Sequence, residues 1–249
     1  MASPAIELKN LSKRFGGLQV IDHLDLTIKP GELRCIIGPN GAGKTTLFDL
    51  ITGRIKPDEG QVIFEGRDIT YLKPYNVSRA GIVRKFQIPS VFDELTILEN
   101  LHIAAHGQQG IGSLIFYRRT ETSALDRVNE IMEVIHLSGR GDELVKTLSH
   151  GEKQWLEIGM VLSYKPRLIL LDEPTAGMSA HDTMETSHII REISRSMTAV
   201  VIEHDIKFLK ELAEYVTVLD RGAVLAEGTF QEIEANSLVR DVYLGRGGQ

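Results

Sequence analysis

Short apolar runs rich in β-branched residues punctuate the chain at Ile6–Leu8, Leu24–Ile28, Leu33–Ile37, Val62–Phe64, Leu168–Leu171, Ala199–Ile202 and Val216–Leu219, and each is predicted to be a strand. Glycine and proline interrupt them at Pro30-Gly31 and Gly60, and Asp220-Arg221-Gly222 predicts a hairpin turn into Ala223–Ala226. The runs around Leu33, Leu168 and Ala199 are predicted to be parallel and covered by helices, with mixed strands at both ends of the chain.

Between Thr96 and Met160 the strand pattern gives way to helical spacing. Leu125, Val128, Ile131, Met132 and Ile135 recur at i, i+3, i+6, i+7 and i+10, which puts them on one face of an amphipathic helix and predicts a core-facing stripe. The middle of the chain therefore reads as a helical insert in an α/β core. Gly107 to Arg119, glycine-rich and then mixed, is expected to be an exposed loop or weak helix.

Composition narrows the class without naming a function. A chain of 249 residues accommodates one large domain, or a core domain carrying a smaller insert. With 42% hydrophobic and 25% charged residues, disordered and fibrous classes are set aside. The net charge of -6 and the scatter of the basic residues argue against a nucleic-acid partner. Cys35 is the single cysteine, so no internal disulfide forms and a cytosolic address is the default. The N-terminal residues lack the basic start and apolar run of a signal peptide, and no run approaches the ~18 apolar residues of a membrane helix. Work at a membrane would require other chains to hold this one there.

Chemistry enters at Gly38-Pro39-Asn40-Gly41-Ala42-Gly43-Lys44-Thr45-Thr46, which fits the phosphate-loop pattern G-x-x-x-x-G-K-[ST] between a predicted strand and a helical run. Glycines let backbone N–H groups wrap phosphates, a helix N-terminus adds positive dipole, Lys44 neutralises β/γ charge, and Thr45 offers a hydroxyl to Mg²⁺. The run Leu168-Ile169-Leu170-Leu171 then ends in Asp172-Glu173-Pro174. A buried parallel strand delivers such acids to the carboxyl edge of the sheet, where an α/β fold binds its ligand. Asp172 is predicted to hold Mg²⁺ through its water shell. Glu173, pointing to the other side, is predicted to polarise the attacking water as general base. Either acid alone would more often be a strand-end cap.

Just ahead of that strand, Leu148-Ser149-His150-Gly151-Glu152-Lys153-Gln154 resembles the L-S-G-G-Q signature of the ABC (ATP-binding cassette) family. Leu148, Ser149 and Gly151 match; His150 replaces a glycine and Glu152 a glutamine. The Ser149-x-x-Glu152 spacing also predicts a capping box on a helix. The resemblance implies a P-loop ATPase core with a mixed β-subdomain and an inserted helical subdomain. Residues 1–87 and 166–249 would form the core and 88–165 the helical subdomain carrying the signature. It also implies a head-to-tail pair of cassettes, in which Ser149 and Gly151 contact the ATP held by the opposite subunit.

Other residues take roles from the same resemblance. Gln87 stands where the family glutamine joins core to insert and approaches Mg²⁺ and the attacking water. Phe15 matches the aromatic that stacks on adenine, with a core position as the other reading. His204 matches the switch histidine that senses the γ-phosphate. Ser179 replaces an acid that links the two composite sites.

The segments Leu148 to Met160, Glu173 to Met178, Val201 to Asp205 and Val242 to Gly245 resemble the ATPases of branched-chain amino acid importers. Within that group, Leu148 to Met160 looks most like the urea-transporter ATP-binding subunit. The resemblance thus implies an ATPase on the cytoplasmic face of the cell membrane, energising an importer for urea or a related solute. Its partners would be a second, unlike ATPase subunit, two membrane permeases and, indirectly, an extracytoplasmic solute-binding protein. The alternative within the same resemblance is a branched-chain amino acid importer ATPase; from other classes, a soluble ABC ATPase that moves protein or nucleic acid and a non-hydrolysing regulatory module compete. Against the soluble ATPase, neither a zinc-cysteine module nor a second cassette is present; against the regulatory module stand Lys44, Asp172, Glu173 and His204.

Overall fold

The computed structural model describes residues 3–85, 91–106 and 121–244. The chain opens with β1 (Ile6–Phe15), β2 (Leu18–Ile28) and β3 (Leu33–Ile37), followed by α1 (Lys44–Ile51), β4 (Glu59–Phe64) and β5 (Arg67–Asp68). Next come α2 (Pro74–Ala80), β6 (Ile82–Lys85), α3 (Ile97–His106), α4 (Glu121–Val134) and α5 (His150–Ser163). The last part holds β7 (Leu168–Asp172), α6 (Ala180–Ser194), β8 (Thr198–Ile202), α7 (Ile206–Leu212), β9 (Tyr215–Asp220), β10 (Ala223–Gly228), α8 (Phe230–Ala235) and α9 (Ser237–Leu244).

Two sheets result. A four-stranded antiparallel sheet has the order β2-β1-β4-β5, and a six-stranded mixed sheet has the order β10-β9-β3-β8-β7-β6. In the larger sheet β3, β6, β7, β8 and β9 are parallel, and only β10 runs against its neighbour, through the predicted turn at Arg221-Gly222. Every residue of β3, β7 and β8 is buried, as strands covered on both faces must be.

Side-chain alternation divides the interior in two. Leu33, Cys35, Ile169, Leu171, Ala199 and Val201 face a core built with α3 to α6, whereas Ile36, Leu168, Leu170, Val200 and Ile202 face one shared with α1 and the antiparallel sheet. Val128, Ile131, Met132 and Ile135 join the first core, as their spacing predicts. Apolar burial of this kind contributes about 1.5–3 kcal/mol per large side chain. Cys35 lies wholly inside, and burial pushes its thiol up to about 12, with Glu203 adding to the rise and Arg34 opposing it.

Two differences from the sequence reading have physical causes. β1 and β2 run seven and six residues beyond the predicted Ile6–Leu8 and Leu24–Ile28, because they pair with each other through register shifts that let polar residues alternate outward. β6 was not anticipated, since two of its four residues are Arg84 and Lys85, both buried. Gly107 to Arg119 lies outside the described residues.

Candidate functional site

The parallel strands bring the chemistry to one edge. β3, β8 and β7 lie side by side with Ile36 opposite Ile202 and Asp172 opposite Ile202, so the segments that follow each strand emerge together. The loop Gly38–Gly43 leaves β3 and α1 opens at Lys44. Gly43 sits at φ 102°, and a Cβ there would lie 2.8 Å from both Ile21 Cδ1 and Val20 O, so the turn into the helix accepts only glycine. Lys44 Nζ donates to the carbonyls of Gly38 at 2.6 Å and Pro39 at 3.1 Å, curling the loop around its ammonium. Burial holds the Lys44 pKa below the ordinary lysine value, while the negative charges of Glu173 and Asp172 oppose that fall. Pro39 and Thr46 are half-buried, Asn40, Gly41 and Thr45 exposed, and Gly38 and Ala42 buried.

Asp172 ends β7 and is buried, with Arg84 Nη2 2.6 Å from its Oδ2. The other arm of the Arg84 fork reaches Asp49 Oδ1 on α1 at 2.6 Å. Arg84 therefore ties the edge strand β6 to the acidic strand end and to the helix behind the phosphate loop. Removing one partner from such a buried pair costs about 3–5 kcal/mol.

Glu173 leaves the strand at φ 46°, a left-handed backbone that costs a non-glycine residue about 1–2 kcal/mol. Its N–H donates to Ile202 O at 2.9 Å, which anchors the turned residue to β8. His204 Nδ1 stands 3.7 Å from Glu173 Oε1, with the imidazole largely exposed. The buried Glu203 holds this region from behind: Oε1 accepts from Thr175 N–H at 3.1 Å and Thr175 O–H at 2.7 Å, and Oε2 accepts from His204 N–H at 3.1 Å. Lys44, Asp172, Glu173 and His204 thus form one cluster. Phe15 ends β1 with 49% of its surface exposed and belongs to neither core; Lys13 Nζ lies 5.6 Å from its ring centroid. Gln87 lies outside the described residues.

Ser149 and Gly151 belong to a second cluster, at the start of α5. Ser149 caps the helix, its Oγ accepting from Glu152 N–H at 3.2 Å while Glu152 Oε2 accepts from Ser149 N–H at 2.7 Å, which is the predicted capping box. A Cβ on Gly151 would come within 2.8 Å of the Asp182 carboxyl carbon, so glycine lets α5 approach α6. His150 Nε2 is 3.2 Å from Ala176 O, which links this loop to the segment after Glu173. Ser179 caps α6, accepting from Asp182 N–H at 3.2 Å and donating to Asp182 Oδ2 at 2.8 Å.

Sequence reasoning missed Arg84, Lys85 and Glu203. Glu203 was detectable in principle: it directly follows the all-buried run of β8, where a carboxylate persists only with hydrogen-bond partners.

Residues 21–176, more than half of the chain, match the family described as ABC transporter. The chain belongs to that family. The ABC cassette is 33% identical to the high-affinity branched-chain amino acid transport ATP-binding protein BraF of Pseudomonas aeruginosa, over 98% of this chain and 99% of that one. An ATP-binding cassette of an ABC transporter solved in its ADP conformation superposes with a TM-score of 0.85 at 31% identity, covering 98% of this chain and 99% of the other. A dimeric bacterial ABC transporter cassette superposes with a TM-score of 0.76 at 25% identity, covering 90% of this chain and 98% of that one. The fold is that of an ABC nucleotide-binding domain, and the protein is an ATP-binding and ATP-hydrolysing subunit of an ABC transporter. Among the described residues, no helix is long and apolar enough to cross a membrane.

Proposed function

We propose that this ABC cassette drives an importer of the branched-chain amino acid type from the cytoplasmic face of a cell membrane. The observation that carries the ATPase half of this reading is the convergence of Lys44, Asp172, Glu173 and His204 on one sheet edge. The solute half rests on the relative named for branched-chain amino acid transport, similar over nearly its full length. A second reading, urea import, is favoured by the segment Leu148 to Met160. An ATPase does not touch the solute, so permease partners decide between the two.

In this mechanism the phosphate loop, Gly38 to Thr46, cradles ATP through backbone N–H groups and Lys44 meets its β/γ charge. Phe15 stacks on adenine. Glu173, whose carboxylate lies 3.7 Å from His204 Nδ1, takes the proton of the attacking water. His204, beside Glu173, senses the γ-phosphate, and Gln87 takes the role that the family resemblance gives it, toward Mg²⁺ and the attacking water. Ser149 and Gly151 serve the ATP of a facing ATPase subunit.

Mg²⁺ fits the donors present: exposed Thr45, in the first turn of α1, and Asp172, at the end of β7, offer hard oxygens. Among the described residues no group of three His, Cys, Asp or Glu side chains is placed to hold a metal, in keeping with an ion that relies on phosphate and water. When bound, Mg²⁺ would neutralise phosphate charge; Thr45, Asp172 and Gln87 would hold it. The same proposal divides the chain into a core of residues 1–87 and 166–249 and a signature-bearing subdomain of 88–165. Two permeases and a second, unlike ATPase would complete the complex, with an extracytoplasmic binding protein acting indirectly.

Uptake of labelled leucine and of labelled urea, measured in cells with and without this chain, tests the assignment. Loss of leucine uptake alone is expected. Loss of urea uptake alone would replace the main reading with the second, and loss of neither would sink both.

A further inference from the structure

The signature of this cassette carries a full negative charge, Glu152, in the first turn of the element proposed to meet a partner's ATP. Left bare, that carboxylate would repel the triphosphate and weaken the positive end of α5. The chain supplies a counter-charge from outside the signature. Arg140 lies in the loop between α4 and α5, where it reaches Glu152 Oε1 with Nη1 and Glu143 with Nε at 3.0 Å and Nη2 at 2.8 Å. Both Glu152 oxygens are then engaged, Oε1 by Arg140 and Oε2 by the Ser149 N–H at 2.7 Å.

The loop that presents Arg140 is itself fixed. Leu98 N–H donates to Gly141 O and Ile97 N–H to Glu143 O, each at 3.0 Å, so the first turn of α3 clamps the segment on either side of the guanidinium's partners. Burial pushes the Glu152 carboxyl up, yet the Arg140 and Ser149 hydrogen bonds outweigh it and hold the group below its ordinary value. The glutamate is thus an anion with a built-in partner, in a place where a neutral amide would need none.

We propose that Arg140 is a positioning residue for the composite ATP site: it neutralises Glu152 and orients the Ser149–Gly151 turn for the nucleotide of the facing subunit. This rests on the proposed role of Ser149 in trans. Without Arg140 the signature presents an uncompensated charge to the phosphates; without both charges the amide of a glutamine keeps the cap on Ser149 and the signature itself carries no charge, the remaining Glu143 carboxylate lying outside it.

The test uses the assembled complex with its permeases and second ATPase, comparing Arg140→Ala, Glu152→Gln and the double variant. Arg140→Ala is expected to raise the KM for ATP on the order of tenfold, the effect of one uncompensated charge at a partly hydrated interface, with a smaller change in kcat. Added salt should shrink that defect. The double variant should return to within about twofold of the wild-type KM, because Glu152→Gln removes the charge that Arg140 was needed to balance. If the double variant stays as impaired as Arg140→Ala, or if salt leaves the defect unchanged, Arg140 acts only by holding its loop and the proposal fails. Ser149→Arg in the same complex separates the two ideas: intact turnover there would remove the trans role itself. Loss of turnover there, with no rescue in the double variant, would remove only the role of Arg140. Melting temperatures of the isolated chains identify any variant that fails to fold, and for those Arg140→Gln replaces Arg140→Ala with the same expected rescue.

Discussion

At the residue scale, Glu173 combines a strained backbone with a position one residue past a buried strand. A left-handed glutamate is retained only where surrounding bonds fix it, here the N–H to Ile202 O and the buried Glu203 behind His204. Glu173→Gln keeps shape and hydrogen bonding but cannot take a proton. ATP affinity is expected to be unchanged while turnover falls about 10²–10⁴-fold, as measured by single-turnover hydrolysis. Retention of most of the activity would show that another group is the base. Phe15 invites a parallel experiment because its half-exposed ring belongs to neither core. Phe15→Ala should raise the KM for ATP more than it lowers kcat, and Phe15→Trp should be mild. Equal losses in the two variants with a lowered Tm would return Phe15 to a packing role.

At the element scale, β6 shows what a single sequence conceals. Apolar runs announced β3, β7 and β8, since strands covered on both faces need them. Ile82-Val83-Arg84-Lys85 did not announce itself, because its charges are buried by partners far away in the chain: Asp49 and Asp172 for Arg84, Gln154 and Glu157 for Lys85. The cap at Ser149 was legible because both halves of it lie within four residues; the Arg140 that serves Glu152 was not, because nothing local links them. The phosphate loop and the acids Asp172 and Glu173 stand out for the same local reason, whereas Glu203 carried only the faint local mark of following a buried run, its partner Thr175 lying 28 residues away.

Lys85 Nζ lies 3.1 Å from Glu157 Oε2 inside the protein, joining β6 to α5. Burial lowers the Lys85 pKa, and the Glu157 charge opposes that fall. Lys85→Met or Glu157→Leu alone should therefore destabilise the chain by about 3–5 kcal/mol, and the double variant by much less. Denaturant melts of the three proteins measure this. Additive losses would show that the two residues do not act as a pair.

At the scale of the whole molecule, the proposed catalytic cluster and the signature sit on different elements. Lys44, Asp172, Glu173 and His204 gather at the carboxyl edge of the six-stranded sheet, while Ser149 and Gly151 open α5, where they face the segment after Glu173 through His150 and Asp182. In the proposed function Ser149 both caps its own helix and reaches across to another chain, so its two roles are separable. Ser149→Arg removes the cap, which should cost about 1 kcal/mol of stability in the isolated chain. It should leave the affinity of that chain for ATP nearly unchanged, because the phosphate loop is untouched. In a complex assembled with a wild-type partner, the same variant should cripple turnover, since the long cation would stand where the partner's γ-phosphate belongs. Nucleotide titration by fluorescence on the isolated chain and phosphate release from the assembled complex give the two readouts. Loss of ATP binding in the isolated variant, with its Tm lowered by no more than the missing cap explains, would mean that Ser149 serves its own nucleotide and that the head-to-tail arrangement is wrong for this cassette.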